Sequence, residues 1–114
     1  MDASDSIIFA ALAEPTRLSI VDMLAKRGEL AASEISKMFN STPSAISQHL
    51  KVLRESGLAH VTKRGQQRVY SLDTDKITEA QQWLQERTSQ WNARIDAMEV
   101  YIAQQNKEEK NHDK

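Results

Sequence analysis

Residues 33–56, SEISKMFNSTPSAISQHLKVLRES, constrain this 114-residue chain more than any other stretch. Ile35, Met38 and Phe39 repeat at i, i+3, i+4, the spacing of one apolar helix face. Asn40 and Ser41 break the pattern. Thr42 can then cap a second helix with Pro43 at its first position, where a missing N–H is no loss. Gly57 is the residue expected just past that helix's end. At about 100° per residue, Ile46, Leu50 and Leu53 fall together and face a core. Ser44, Ser47, Gln48, Lys51 and Glu55 fall on the far side, within an arc of about 100°. A face of short hydrogen-bonding side chains with one cation suits close approach to base edges in a DNA major groove. An ordinary solvated helix face has the same pattern, so the rest of the chain must decide.

Charge distribution favours the groove. The whole chain carries only −1, which argues against a general polyanion binder. Residues 41–72, however, hold Lys51, Arg54, Lys63, Arg64 and Arg68 against Glu55 alone, a net +4. Residues 1–40 carry −2 and residues 73–114 carry −3. Positive charge confined to one contiguous third is the footprint of a surface that meets phosphate on one side.

Taken in order, residues 6–13 (SIIFAALA) read as a short apolar helix. Pro15 opens a second, with Leu18, Val21, Leu24 and Ala25 on one face and Gly28 as its stop. Arg17 sits near its start, where the macrodipole disfavours a cation; a carboxylate or phosphate partner and a plain surface role are both open. Glu29–Ala31 is a short link or single strand. After Gly57 the period becomes alternating, and LAHVT and RVYSL read as a hairpin joined by KRGQQ. Its tip carries Lys63, Arg64, Gln66, Gln67 and Arg68. The last third is one long helix. Ile77, Leu84, Trp91 and Met98 recur every seven residues, with Thr88, Ile95 and Ile102 as a second row. That stripe spans roughly 39 Å, more than a domain of this size can cover, so a second chain is expected to cover it. The tail NKEEKNHDK is highly charged and expected to fray.

The fold class is therefore mainly α with a small antiparallel hairpin, in the order α-α-α-α-β-β-α of a winged helix-turn-helix. The expected organisation is a core over 1–73 with its wing at 59–72, a dimerisation helix over 74–105 and a flexible tail over 106–114. ALAEPTRLSIVDML (11–24), SAISQHLKVLRESGLA (44–59) and KRGQQRVYSLD (63–73) resemble the ArsR/SmtB-type bacterial transcriptional repressors. The resemblance implies a sequence-specific regulator of double-stranded DNA that binds an imperfect palindrome as a homodimer. Carried over, Ser44, Ser47 and Gln48 read bases, while Lys51, Lys63, Arg64 and Arg68 meet phosphates. Thr42, Gln66 and Gln67 support them at the backbone. His49 is expected beside the core or at a phosphate. Ile7, Phe9, Leu84, Trp91, Ile95, Met98 and Ile102 are the dimerisation candidates. Where such proteins keep a buried aliphatic residue in the turn, this chain has Ser41, so the turn is looser or Met38 fills the gap.

Metal sensing fits this sequence poorly. The chain has no cysteine, and the positions matching the family's thiolate site are Ala31 and Ser33. Those matching its zinc site between C-terminal helices are Thr74, Lys76, Arg87 and Gln90, two of them cations. No metal and no other cofactor is expected. The C-terminal WLQERTSQWNARIDAMEVYI instead resembles a metal-free subgroup, often encoded beside lipid-binding START-like proteins or acting as autorepressors. Trp83, Trp91 and Phe9 suit a dimer core, or alternatively a pocket for an unknown apolar small-molecule effector. A winged helix without DNA binding is the other alternative. No glycine-rich phosphate loop, nucleophile elbow or paired acid and base points to an enzyme. With no long apolar run or cleavable leader, a soluble cytoplasmic protein with no membrane partner is expected.

Overall fold

Helix α4 (Pro43–Glu55) is closed at both ends by groups its own sequence supplies. Thr42 Oγ1 accepts the Ala45 N–H at 3.1 Å, with Pro43 opening the helix. At the far end Gly57 turns to φ +84°. The amides of Gly57 and Leu58 then donate back to the carbonyls of Arg54 and Leu53 at 3.1 and 3.0 Å. This is the paired closure that a left-handed residue past a helix allows. Alanine at position 57 would be held at a positive φ with its Cβ 3.0 Å from Lys76 Cε. Gly57→Ala is expected to cost about 1–2 kcal/mol, read as a lower urea midpoint at unchanged slope.

The computed structural model describes residues 3–112, with side chains through 109. Around α4 it sets α1 (Ala3–Leu12), α2 (Pro15–Arg27), β1 (Glu29–Ala31), α3 (Ala32–Lys37), β2 (Ala59–Arg64), β3 (Gln67–Leu72) and α5 (Thr74–His112). The expected order thus holds with one addition. The link at Glu29–Ala31 pairs antiparallel with Val69–Ser71, giving a three-stranded sheet in the order β1-β3-β2.

Two compact units divide the chain, Met1–Ala80 and Gln81–Lys114. The boundary falls past the expected 73/74 because Ala80 is buried in the first unit's core and Ile77 packs against it. That core is built from Ile8, Ile20, Leu24, Ile35, Ile46, Leu50, Leu53, Leu58 and Tyr70. On α2 the buried face is Ile20 and Leu24 with Val21 half-buried. Leu18 and Ala25, expected inward, are exposed. After α3, Phe39 packs against the core, whereas Met38 is 37% exposed and does not fill the turn. Ser41 instead borders an open cavity of about 540 Å³ that reaches Ile46 and Leu50 between α3 and α4.

Polar groups lock the corners. Arg17 Nε donates to the Ala11 carbonyl at 2.7 Å and Nη2 to that of Ala10 at 3.3 Å. Its charge therefore sits at the C-terminal end of α1, where a cation is favoured, rather than on a phosphate or free in solvent. Glu14 caps α2 by accepting the Arg17 N–H at 2.8 Å. Asp73 caps α5 by accepting the Lys76 N–H at 3.1 Å, and its other oxygen lies 2.8 Å from His60 Nε2. That backbone hydrogen bond, more than the nearby His60, holds the Asp73 carboxyl below its ordinary 3.8. The folded form thus gains stability from ionised Asp73, complete above that value and lost as pH falls through it toward the lower folded one. Asp73→Asn is expected to flatten the acid side of a melting-temperature profile in that window.

The second unit is the remainder of α5. Helix continues to His112, seven residues past the expected end at 105, because the charged tail still satisfies the i→i−4 ladder. Residues 113–114 of the tail expected to fray lie outside the described residues.

Candidate nucleic-acid interface

The far face of α4 is presented as its periodicity predicts. Ile46, Leu50 and Leu53 are buried, while Ser44, Ser47, Gln48, Lys51 and Glu55 are all exposed. Burying one side in the core fixes the rotation of the helix. The polar side is then rigidly displayed, as a surface that must match base edges requires.

The hairpin stands beside this helix, but its tip is shorter than KRGQQ suggests. Only Gly65 and Gln66 form the turn, with Arg64 paired to Gln67 and Lys63 to Arg68. Gly65 takes φ +62° at the first turn position, as a tight two-residue hairpin of this kind requires. All three cations expected at the tip, Lys63, Arg64 and Arg68, are therefore strand residues, and strand side chains alternate between faces. Lys63 and Arg68 share a face with Val61 and Tyr70, the face packed toward the core. Arg64 and Gln67 lie on the other.

This alternation separates the cations. Arg68 joins Ser47, Gln48, Lys51, Arg54 and Tyr70 in lining a cleft of about 250 Å³ between α4 and the hairpin. Lys51 reaches Glu55 at 4.0 Å, a loose exposed contact. Lys63 lies directly opposite Arg68, and like charges in that position destabilise a hairpin until an anion lies between them. Three cations lining one cleft suit a phosphate backbone. Arg54 is a contributor that the sequence pattern did not single out. It falls just outside the polar arc, although Ser47, Lys51 and Arg54 form an i, i+4, i+7 row that could have revealed it.

Arg64 lies on the strand face opposite Lys63 and Arg68, with which the sequence groups it. Its guanidinium makes a two-pronged bond with Glu29 of β1, at 2.7 and 3.0 Å. The Arg64 hydrogen bond holds the Glu29 carboxyl below its usual range, and Glu29 in turn raises the guanidinium. Gln66 and Gln67 are exposed at and beside the turn, and Thr42 Oγ1 accepts in the helix cap while its exposed O–H remains able to donate.

His49 turns half-buried toward α2, with Nδ1 3.4 Å from Glu14 Oε2, consistent with a place beside the core. Ile7 is 53% exposed and Phe9 packs against the core of the first unit. In the second unit, Leu84, Trp91, Met98 and Ile102 are each more than half exposed and Ile95 is partly covered. Arg87 lies 4.2 Å over the Trp83 ring, so that aromatic face already carries a cation. Among the described residues, no three His, Asp or Glu side chains gather as a metal-holding set, and no helix is long and apolar enough to cross a membrane.

Comparison with known proteins gives the family and the fold class. Residues 14–61 match the family described as "Bacterial regulatory protein, arsR family". The chain is similar to the transcriptional repressor SdpR of Bacillus subtilis, 34% identical over 77 residues that cover 68% of this chain and 84% of that one. It is also similar to the transcriptional activator HlyU of Vibrio cholerae, 35% identical over 71 residues, 62% of this chain and 65% of that one. Among solved structures, an ArsR-like transcriptional regulator from Rhodococcus sp. RHA1 superimposes with a TM-score of 0.74. It is 26% identical, and the match covers 84% of this chain and 90% of that one.

Proposed function

Since the chain belongs to the ArsR family and is a DNA-binding transcriptional regulator rather than an enzyme, we propose that it represses transcription as a homodimer on an imperfect palindrome. The observation that carries this reading is the exposed hydrogen-bonding face of α4 beside a cleft lined by Lys51, Arg54 and Arg68. Two such helices related by a two-fold axis would read half-sites about one helical turn apart, roughly 34–36 Å. Ser44, Ser47 and Gln48 read bases; Lys51, Arg54, Lys63 and Arg68 grip phosphates. The exposed row Leu84, Trp91, Met98 and Ile102 supports dimerisation, since large apolar side chains recurring along a helix seek cover. Occupying promoter DNA blocks polymerase, and the work is done wherever the chromosome lies. Repression is the preferred sign because SdpR is named a repressor, although HlyU is named an activator.

Footprinting on the protein's own promoter tests the reading. Two protected half-sites on one face of the duplex are expected, and a flat titration at low salt would remove it. Gln48→Ala should narrow the gap between operator and scrambled duplex by about 1–3 kcal/mol, the usual value of a bidentate amide on adenine. An unchanged gap would mean that another residue reads the base.

A further inference from the structure

The geometry points to Glu29 as a positioning residue that withholds Arg64 from DNA, so that only part of the hairpin's charge reaches phosphate. This rests on the DNA-binding reading above and deepens it. Three features of the hairpin carry the argument. Arg64 lies on the strand face opposite Lys63 and Arg68, the two cations on the α4 side. Its end-on fork is taken, with Nη1 and Nη2 each donating to one Glu29 oxygen, so a phosphate must compete with Glu29 for that edge. Glu29 belongs to β1, the far side of β3 from β2, so the pair spans the central strand and ties the hairpin tip to the sheet's opposite edge. Glu29 thus occupies the guanidinium as a phosphate would, with the same paired oxygens.

Exposed pairs of this kind are weak, so the device biases Arg64 rather than locking it. Its effect is to limit the sequence-independent part of binding. Each neutralised phosphate adds about 0.9 to the slope of log K against log salt, whatever the base sequence. Withholding one cation per subunit lowers affinity for the many wrong sites and leaves base reading untouched, which widens specificity.

Fluorescence anisotropy would test this with a promoter duplex and a scrambled duplex, titrated from about 50 to 200 mM salt. The variants are Glu29→Gln, Arg64→Gln and the double substitution. Glu29→Gln is expected to steepen the scrambled-duplex slope by about 0.9 per subunit and to narrow the promoter preference. Arg64→Gln should leave both unchanged, and the double variant should match Arg64→Gln. A flattened slope in Arg64→Gln would place that cation on phosphate already and overturn the assignment. So would a Glu29→Gln protein that keeps the parental slope. Should Glu29→Gln fail to fold, Arg64→Gln alone still decides. Wild-type protein that ignores both duplexes would remove the DNA-binding premise itself, a result distinct from either.

Discussion

Leu53→Ala is expected to destabilise the protein by about 2–5 kcal/mol, the range for truncating a fully buried leucine where the surroundings relax only in part. Leu53 is 0% exposed, and its carbonyl receives the Leu58 amide that closes α4. Shortening it opens a void under the helix whose rotation sets the direction of the proposed base-reading face. Its neighbour Val52 is 36% exposed, and Val52→Ala should cost well under half as much. Urea unfolding at one fixed protein concentration checks both, since the proposed dimerisation would make apparent stability depend on concentration. Leu53→Ala protein that remains folded should bind both promoter and scrambled DNA less tightly, because the helix then samples more than one orientation.

The largest effect on binding should come from replacing Lys51, Arg54 and Arg68 together with glutamine. With three fewer phosphates neutralised per subunit, the salt slope would flatten by about 2.7 per subunit. Affinity should fall strongly on every duplex, while the order of preference among sequences survives because Ser44, Ser47 and Gln48 are untouched. Stability should hold or rise, since Arg68 no longer repels Lys63 across the strand pair. A slope that does not change would move the phosphate seat elsewhere. A scrambled order of preference would mean that these cations also read bases.

What could be read from the residues followed the range of the interactions involved. α4 was legible from end to end because Thr42, Pro43, Gly57 and the Ile46–Leu50–Leu53 stripe all act within a few residues of each other. The polar face came with it, since burying one side leaves only the other. β1 was read no further than a link or lone strand, because its ladder partner Val69–Ser71 lies about forty residues away and three residues carry little period of their own. On α2, Leu18 and Ala25 share a plausible stripe with Leu24, and only packing against the sheet and α4 decides for Ile20. Arg17 and Arg64 stand out in the sequence as cations in want of a partner, but which partner each takes is not legible there. Their partners, the carbonyls of Ala10 and Ala11 and the carboxylate of Glu29, depend on where the chain folds back. The expected face of α4 is therefore displayed whole, whereas the expected set of hairpin cations is divided.

Because neighbouring strand residues point to opposite sides, the face of the sheet from which each hairpin cation starts is decided by parity. Lys63 and Arg64 have nearly the same chemistry, yet the odd position faces α4 and the even one faces away. Shifting β2 against β3 by a single residue would exchange them, turning Arg64 toward α4 and Lys63 toward the face that carries Glu29. The count of residues between Gly57 and Gly65 thus fixes which cation stands beside the proposed reading helix.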